Sequence, residues 1–422
     1  MSSWKRYELK YLCEGIIDCV NKTAPISSIP TEYKMLRTSD IRDGRINLEN
    51  LNCVSFETFK KWTRRGELKQ GDIVFTREAP LGEVGLVKEA KNLFLGQRLV
   101  LFRANKDVCD NRFLLYALMY YDNKQAIISK GVGSTVLHLR VPECEKITIS
   151  APNLITQRRI ADILSAYDDL IENNRKQIKL LEEAAQRLYK EWFVDLRFPG
   201  HEHTKIVDGV PEGWDYIPLG KTISYEIGGG WGEDFVTGKN ECPGFVIRGT
   251  DIDDIKKGNL LSIPYRFHVQ GNLLSRKLQD GDIIFEVSGG SKNAGVAKTL
   301  LMTESLLSVW KKPVICASFC KLIRFDKPHI SQYIYDCLQY WRTVGETQEY
   351  EKKSASNIIN YRWKEFLKQK SVLIPEQGLL LQYVGISSSL YKQAITCSIA
   401  ISKAMQARDC LLPKLMSGEV EV

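Results

Sequence analysis

The sequence lacks the motifs on which most enzyme active sites depend. It contains no GxxxxGK[ST] phosphate loop, no HExxH pair, no GxSxG turn and no Asn- or Asp-Pro-Pro-aromatic run, and only five histidines occur in 422 residues. These absences leave nucleotide hydrolysis, zinc-dependent hydrolysis and serine-hydrolase chemistry without a visible site. The glycine-rich run IGGGWG at residues 227–232 also lacks the GxGxxG spacing. The sequence therefore predicts a binding protein, with no catalytic and no metal-binding residue.

Features of membrane and secreted proteins are missing as well. No apolar run approaches the roughly 18 residues that cross a bilayer, and the opening MSSWKRYELKYL lacks the apolar core of a signal peptide. Eleven cysteines without a CxxC pair do not form the pattern of a disulfide framework. We therefore expect a protein of a reducing cytoplasm. Its net charge of +8 fits phosphate binding and fits an excess of lysine on solvated faces equally well.

What the sequence does contain is an internal repeat. LKQGDIVFTREAPLGEVGLV begins at Leu68, and LQDGDIIFEVSGGSKNAGVA begins at Leu278. Asp72, Phe75 and Gly85 fall 210 positions before Asp282, Phe285 and Gly295, so the intervening loops are expected to have identical length. MLRTSDIRDGRINL and VIRGTDIDDIKKGNL match in the same way, which pairs Arg37 with Arg248. The chain is a tandem duplication, and its length also calls for at least two hydrophobic cores.

Each copy follows one plan of strands and helices. The runs DIVF, DIIF, GFVIRG and KITISAP are rich in β-branched residues and bounded by Gly, Pro or Asp, so they predict strands. A helix is expected at residues 111–121, with its counterpart at residues 331–341. The predicted fold class is α+β, with two homologous domains that are each built on an irregular sheet and each followed by a long helix.

The long helix after Pro152 carries the strongest periodic signal. Its apolar positions alternate steps of four and three, the 3.5-residue period of a coiled-coil seam: Ile160, Leu164, Tyr167, Ile171, Asn174, Ile178, Leu181, Ala185, Leu188 and Trp192. The second copy places smaller residues 223 positions later: Tyr383, Ser387, Leu390, Ala394, Cys397, Ile401, Ala404, Arg408, Leu411 and Leu415. Because small residues can accept large ones, we expect the two helices to pair as an antiparallel coiled coil.

Asn174 interrupts the first seam near its middle. A buried amide at such a position can fix the register of paired helices at some cost in stability. The alternative is that Asn174 faces water where the seam frays. The sequence leaves both interpretations open.

The predicted division of the chain follows these signals. Residues 1–152 form the first domain and residues 153–195 the first long helix. Residues 196–213, which contain Pro, Gly and His without periodicity, are expected to be a linker. Residues 214–374 form the second domain, and residues 375–422 the second long helix.

Three segments resemble a known family. APNLITQRRIADILSAYDDLIENNRKQIKLLEEAAQRLYKEWFVDLRFPGHE looks like the central conserved region of the specificity (S) subunits of type I restriction–modification systems. VPEGW at residues 210–214 looks like that family's entry into its second domain, and LLPKLMSGEV at residues 411–420 looks like its C-terminal ending. Together with the duplicated plan, the resemblance covers nearly the full chain.

The resemblance implies a function and a set of partners. Each domain would be a target-recognition domain that reads one half of a bipartite double-stranded DNA sequence. The paired helices would set the spacing of the two halves and dock two modification (methyltransferase) subunits, which restriction (translocase/nuclease) subunits then join. The chain itself would be non-catalytic and bind no cofactor, because S-adenosylmethionine, ATP and Mg belong to those partner subunits. Such systems act in the prokaryotic cytoplasm.

Two loops in each copy are the candidate DNA-binding segments. The first follows the shared Phe75 and Phe285, where the copies diverge, and the second comprises residues 129–140 and residues 351–362. Their polar side chains could read base edges or bind phosphates: Arg77, Lys130, Ser134, Thr135 and His138 in the first copy, and Ser291, Lys292, Asn293, Lys352, Lys353, Ser354, Ser356 and Asn357 in the second. Solvent-exposed turns that merely tolerate change are the alternative. Arg37 and Arg248 lie in the shared frame, which favours structural roles or general phosphate contacts.

Two other functions remain open from the sequence. The first is a self-contained DNA methyltransferase or nuclease, which purified chain would reveal by modifying DNA unaided. The second is an interaction scaffold without a DNA role. Measuring DNA affinity against salt concentration, with and without modification subunits, would separate it, because phosphate contacts impose a steep salt dependence.

Overall fold

A computed structural model describes residues 4–289, 295–353 and 358–422. The chain divides into two compact units, Met1–Asp169 together with Gln406–Val422, and Leu170–Met405. Each unit holds one copy of the repeat with parts of both long helices. The functional division predicted from the sequence, at residues 152, 195, 213 and 374, stays a prediction.

The first unit contains eleven strands and five complete helices among its described residues. The strands are β1 (Lys5–Glu8), β2 (Cys13–Asp18), β3 (Lys34–Leu36), β4 (Ile41–Arg42), β5 (Arg45–Ile46), β6 (Asn52–Cys53), β7 (Ile73–Thr76), β8 (Val84–Leu86), β9 (Leu93–Leu95), β10 (Leu99–Ala104) and β11 (Thr148–Ala151). The helices are α1 (Leu9–Leu12), α2 (Phe56–Trp62), α3 (Asn111–Met119), α4 (Tyr121–Ser129), α5 (Val141–Glu145) and the start of α6 (Leu154–Phe193).

The second unit is larger. Its strands are β12 (Ile206–Val207), β13 (Val210–Pro211), β14 (Asp215–Pro218), β15 (Tyr225–Gly228), β16 (Asn240–Ile247), β17 (Tyr265–Val269), β18 (Ile283–Glu286), β19 (Ser288–Gly289), β20 (Thr299–Leu301), β21 (Val314–Cys316), β22 (Cys320–Arg324), β23 (Glu351–Lys353), β24 (Ile359–Tyr361) and β25 (Ser371–Ile374). Its helices are α7 (Leu219–Thr222), α8 (Gly249–Lys256), α9 (Gln270–Arg276), α10 (Glu304–Leu307), α11 (Pro328–Thr343), α12 (Trp363–Gln369) and most of α13 (Gln377–Met416).

The sheets of the two units have the same topology. The first unit has a four-stranded antiparallel sheet in the order β2-β10-β7-β8, and the second has β15-β22-β18-β20. A three-stranded sheet with one parallel pair accompanies each, β6-β3-β9 and β17-β16-β21. The strand before each long helix pairs with the strand that opens the copy, β11 with β1 and β25 with β14. The α+β fold with two homologous domains is confirmed.

The equivalence of Gly85 with Gly295 is wrong. Gly85 lies opposite Val74 on β8, whereas the residue opposite Ile284 on β20 is Leu300. The loop after Phe285 is therefore five residues longer than the loop after Phe75. Gly85 therefore lies within the returning strand β8, whereas Gly295 precedes the returning strand β20 with a φ of 61°.

The repeated Gly-Asp motif is a structural anchor in both units. Asp72 is 1% exposed and accepts two hydrogen bonds from Arg103, at 2.8 and 2.7 Å. Asp282 is 0% exposed and accepts two from Arg324, both at 2.7 Å. Such paired bonds satisfy a buried carboxylate and join neighbouring strands. They also raise the pKa of the Arg103 guanidinium.

Arg37 and Arg248 have equivalent structural roles. The Arg37 side chain binds Asp40 at 2.8 and 3.0 Å, and Arg248 binds Asp251 at 2.6 and 2.9 Å. In each case the arginine backbone N–H also donates to the same carboxylate at 2.8 Å. These bonds close the first turn of a short helix in each copy.

The two long helices are antiparallel where they meet inside the second unit. Each is 40 residues long. The Sγ of Cys397 lies 3.3 Å from the side-chain oxygen of Gln177. Twelve residues further along α6, the ring of Tyr189 lies 6.3 Å from that of Tyr383, which is earlier on α13. The order of contacts is therefore reversed between the helices.

On both helices, more positions are buried than the predicted seam between the two helices contains. The predicted seam positions are buried or half-buried, and further positions are buried because the helices also pack against other elements of their own unit. Ser398 donates to the carbonyl of Ile255 at 2.6 Å, for example. Gly258 makes this approach possible, because a Cβ built there would lie 2.4 Å from a methyl carbon of Ile401.

Asn174 is buried at 8% exposure, so it does not face water. Its side-chain amide donates to the carbonyl of Leu170, one turn earlier on the same helix, at 2.8 Å. The amide is thus satisfied within α6, and that bond carries no information about the register of a partner helix.

The predicted linker at residues 196–213 is partly ordered. It contains a short helical turn at His201–His203 and the hairpin of β12 and β13. Phe198 is 4% exposed and its ring lies 4.7 Å from that of Trp214. This aromatic contact attaches the segment to the core of the second unit. It was not predictable from periodicity, because Gly and Pro residues surround it in the sequence.

Candidate nucleic-acid interface

The two predicted DNA-binding loops lie side by side in each unit. In the first unit the backbone N–H of Leu139 donates to the carbonyl of Arg77 at 2.9 Å. In the second, Tyr361 donates to the carbonyl of Val287 at 2.8 Å. These are equivalent positions of the repeat. The fold therefore brings together, twice, the segments in which the two copies diverge.

A third segment joins these loops, and the sequence argument missed it. The N–H of Arg77 donates to the carbonyl of Arg98, and the N–H of Val287 to the carbonyl of Phe319, both at 2.9 Å. Arg98 and Phe319 immediately precede the matching strands β10 and β22. Both side chains are exposed. The signal was available, because the copies change abruptly from shared strand to different residues at this point.

A fourth segment completes the row. Cys19 donates to the carbonyl of Leu99 at 3.2 Å, and Gly229 donates to the carbonyl of Cys320 at 2.9 Å. Gly229 must lack a side chain, because a Cβ there would lie 2.1 Å from the carbonyl oxygen of Ala317. The glycine run at residues 227–232, which lacks the GxGxxG spacing, is thus a site of close backbone packing.

We call each row of four segments a loop edge. The loop edge of the first unit comprises residues 19–23, 77–83, 96–98 and 129–140. That of the second unit comprises the described parts of residues 228–235, 287–298, 316–319 and 351–361.

Arg77 is engaged inside the first unit. Its side chain is 15% exposed, forms an ion pair with Asp18 at 2.9 Å and donates to the carbonyl of Leu139 at 3.3 Å. These bonds neutralise the guanidinium and tie the first loop to the second. This placement suits a residue that holds the loops and leaves little of the guanidinium free for a base edge.

The other candidates of the first unit lie around one protruding loop. Backbone pairing of Val132 with His138 closes the loop, and Ser134 and Thr135 lie exposed within it. His138 is half-buried, whereas the exposed Lys130 donates to the carbonyl of Lys146 at 3.3 Å. The loop thus offers two hydroxyl groups and one cation to a partner.

The described candidates of the second unit are two lysines. Lys352 and Lys353 are exposed on β23, which pairs with β24, and β24 pairs in turn with β19. The six remaining candidates lie outside the described residues: Ser291, Lys292, Asn293, Ser354, Ser356 and Asn357. The described residues on either side of the gaps are joined by the N–H of Val296, which donates to a carboxylate oxygen of Glu351 at 2.8 Å.

Burial raises the pKa of one group at or next to each loop edge. In the first unit burial raises the pKa of the Cys19 thiol, so that it stays neutral. In the second, Glu286 is 2% exposed, and burial raises the pKa of its carboxyl group.

Two absences among the described residues bear on the class of site. In residues 4–289, 295–353 and 358–422, no three His, Cys, Asp or Glu side chains are grouped as metal ligands. Within that same part of the chain, no helix has the length and apolar character of a membrane span.

Comparison with known proteins shows which family the chain resembles. Residues 1–183 match the model of the type I restriction modification DNA specificity domain. The type I restriction enzyme MjaIX specificity subunit of Methanocaldococcus jannaschii is 26% identical over 368 residues, 84% of this chain and 78% of that protein. Over most of its length the chain is therefore similar to type I specificity subunits. This similarity supports a non-catalytic role.

Two further similarities extend the match. The putative type I restriction enzyme MjaX specificity subunit of the same organism is 30% identical over 239 residues, 53% of each chain. The solved S subunit of the type I restriction-modification system from M. genitalium superposes with a TM-score of 0.60, covering 98% of this chain and 96% of that one at 16% identity. At that identity the superposition shows a common fold, and it supports the arrangement of two domains with long helices.

Proposed function

We propose that this chain is the DNA sequence-recognition subunit of a type I restriction–modification complex in the prokaryotic cytoplasm. Each loop edge reads one half of a bipartite double-stranded target. The observation that carries the proposal is the repeated set of hydrogen bonds that holds diverged loops together in both units. A conserved frame with exchangeable loops is the arrangement expected of two homologous readers with different targets.

The lysines of β23 supply a test of DNA contact in the second unit. We propose that Lys352 and Lys353 bind phosphates, because both are exposed beside the loops. Replacing both with Ala in the complex reconstituted with modification subunits should weaken DNA binding and reduce the slope of log affinity against log salt by about two, since each phosphate contact contributes roughly 0.9. An unchanged slope would show that β23 does not touch DNA.

Lys311 and Lys312 provide the matched control for that experiment. They are also two consecutive exposed lysines, but they precede β21, whereas the loop-edge segment follows it. The Lys311→Ala, Lys312→Ala double variant loses the same charge. It should leave the salt slope as in the wild type.

The long helices are the proposed docking surface for two modification subunits, which restriction subunits then join. In the second unit α6 and α13 leave large apolar side chains exposed, with Leu180 at 64%, Leu381 at 48% and Ile386 at 45%. Exposed apolar side chains on a helix suit a protein partner. Catalysis, and with it S-adenosylmethionine, ATP and Mg, belongs to those partners in this proposal.

Co-purification tests the docking proposal. Arg187 is exposed on α6, and Arg187→Glu together with Leu180→Asp should reduce capture of the modification subunit. Lys106→Glu, on an exposed turn after β10, is the control for a charge reversal. Full-strength capture by the α6 variant would place the docking surface elsewhere.

A further inference from the structure

Arg98 and Phe319 occupy the same place in the two loop edges. Each precedes the strand that lies at the centre of its four-stranded sheet, next to β7 or β18. Each offers its carbonyl to the diverged loop, and Phe319 accepts a second bond, from the N–H of Ser288 at 3.2 Å. The backbone at this position is therefore fixed in both units, whereas the side chain differs completely.

The turn that presents Phe319 is rigid. The N–H of Cys320 donates to the carbonyl of Ala317 at 2.8 Å, and Gly230 donates to the carbonyl of Cys316 at 2.9 Å. Bonds thus hold the turn from both neighbouring segments. The Phe319 side chain nevertheless leaves 56% of its surface exposed. Leaving a phenylalanine in water forgoes stabilisation that burial would provide, so its exposure at the centre of a binding edge points to a partner.

Arg98 is presented in a different way. Its backbone has a φ of 71°, a left-handed conformation that non-glycine residues rarely adopt and that concentrates at functional sites. Its side chain is 47% exposed, and its Nε lies 3.4 Å from a carboxylate oxygen of Glu78 on the first loop. The carboxylate can orient the side chain, of which nearly half stays accessible.

We propose that Arg98 and Phe319 are equivalent specificity-determining residues of the two readers. Arg98 donates hydrogen bonds to the major-groove edge of a guanine, and Phe319 contacts the C5-methyl group of a thymine. Arginine matches the O6 and N7 acceptors of guanine, and an apolar side chain distinguishes thymine from cytosine by that methyl group. This inference rests on the proposed function and adds the base class that each unit reads at this position.

The test begins with methylation mapping in cells that carry this chain and its modification subunits. The mapped target then identifies the half that each variant affects. Phe319→Ala should lower the preference for thymine over the other bases roughly tenfold at one position of one half-site. Arg98→Gln should alter only the other half-site and shift preference there from guanine toward adenine, since glutamine matches the edge of adenine.

A base that lacks the C5-methyl group tests the proposed contact of Phe319 directly. Replacing the assigned thymine with deoxyuridine should reduce methylation by the wild-type complex roughly tenfold and leave the Phe319→Ala complex unaffected, because the variant has no contact to lose. Equal sensitivity of both complexes to deoxyuridine would overturn the assignment. So would a half-site in which no thymine responds.

Two control variants separate reading from folding. Lys106→Ala removes an exposed cation at the opposite end of β10, and Tyr216→Ala removes a 61% exposed aromatic side chain on β14. Both should methylate the wild-type target unchanged. If the wild-type chain directs no methylation, the proposed function fails; if it does and the Arg98 and Phe319 variants keep its target, only this inference fails.

Discussion

The two units use one set of backbone bonds to hold two different surfaces. Arg77 and Val287 each join the second loop to the turn before the central strand, with donors and acceptors at equivalent positions. Around this frame the first unit places Arg98 and an ion pair of Arg77 with Asp18, and the second places Phe319 and the longer loop after Phe285. The difference shows how a duplicated chain can keep its fold while each copy changes what it recognises. The frame and the surface can be disturbed separately.

The strongest test of the shared frame removes its buried carboxylates. Asp72→Ala leaves Arg103 without its partner, and Asp282→Ala does the same to Arg324. Breaking a buried pair in this way costs about 3–5 kcal/mol, and we expect similar losses in the two units, measured by chemical unfolding. Asp107→Ala and Asp326→Ala, at exposed positions, should have little effect. A large loss in one unit alone would contradict an equivalent frame.

The long helices differ between the units in the polarity of their contacts. In the first unit Arg408 is buried and binds Asp168 at 2.6 Å, and Asp168 also accepts from the hydroxyl of Tyr116 at 2.6 Å. Arg408→Ala leaves the Asp168 carboxylate without its ion-pair partner, so we expect a loss of about 3 kcal/mol in the free energy of unfolding. The burial of Tyr116 beside Asp168 raises the pKa of its hydroxyl well above the ordinary value. A variant as stable as wild type would show that the buried pair adds nothing.

In the second unit the buried polar contact of α13 is made with one carboxyl group, that of Asp336. Asp336 accepts hydrogen bonds from Tyr383, Ser387 and Gln332, but burial is the larger effect and raises its pKa to about 6. Since the unfolded-chain pKa is about 3.9, this group's stabilising contribution is fully present below about pH 4 and is lost as the pH rises through about 6.

Asp336→Asn should remove that pH dependence. The free energy of unfolding of the wild type minus that of the variant should fall by about 2–3 kcal/mol between pH 4 and pH 7. Unfolding curves at several pH values give this difference. A difference that stays constant, or rises with pH, would show that Asp336 is not a raised-pKa group.

The smallest expected effect concerns Asn174. Because its amide bonds to its own helix, Asn174→Leu should stabilise the helix pair by about 1 kcal/mol through added apolar burial. The thermal midpoint measures the gain, and Lys176→Leu on the exposed face is the control. A variant that forms mixed oligomers would instead show that the amide specifies the pairing.

The shared frame of the two units could be predicted from the sequence more completely than the DNA-facing surface. The seam period, the Gly-Asp anchors and the paired Arg37 and Arg248 all follow from local patterns that recur, and repetition made them visible. Arg98 and Phe319 were missed because only tertiary hydrogen bonds bring their turn between the two loops. The position of Gly85 was misjudged for a related reason, since strand pairing, and not spacing in the sequence, sets where a loop ends.

Methylation mapping of genomic DNA tests the central claim most directly, with wild-type chain, with no chain and with Phe319→Ala. We expect a two-part methylated motif that depends on the chain, in which the substitution alters one half and leaves the other intact. Methylation that does not depend on the chain, or a substitution that changes both halves together, would contradict two independent readers on one frame.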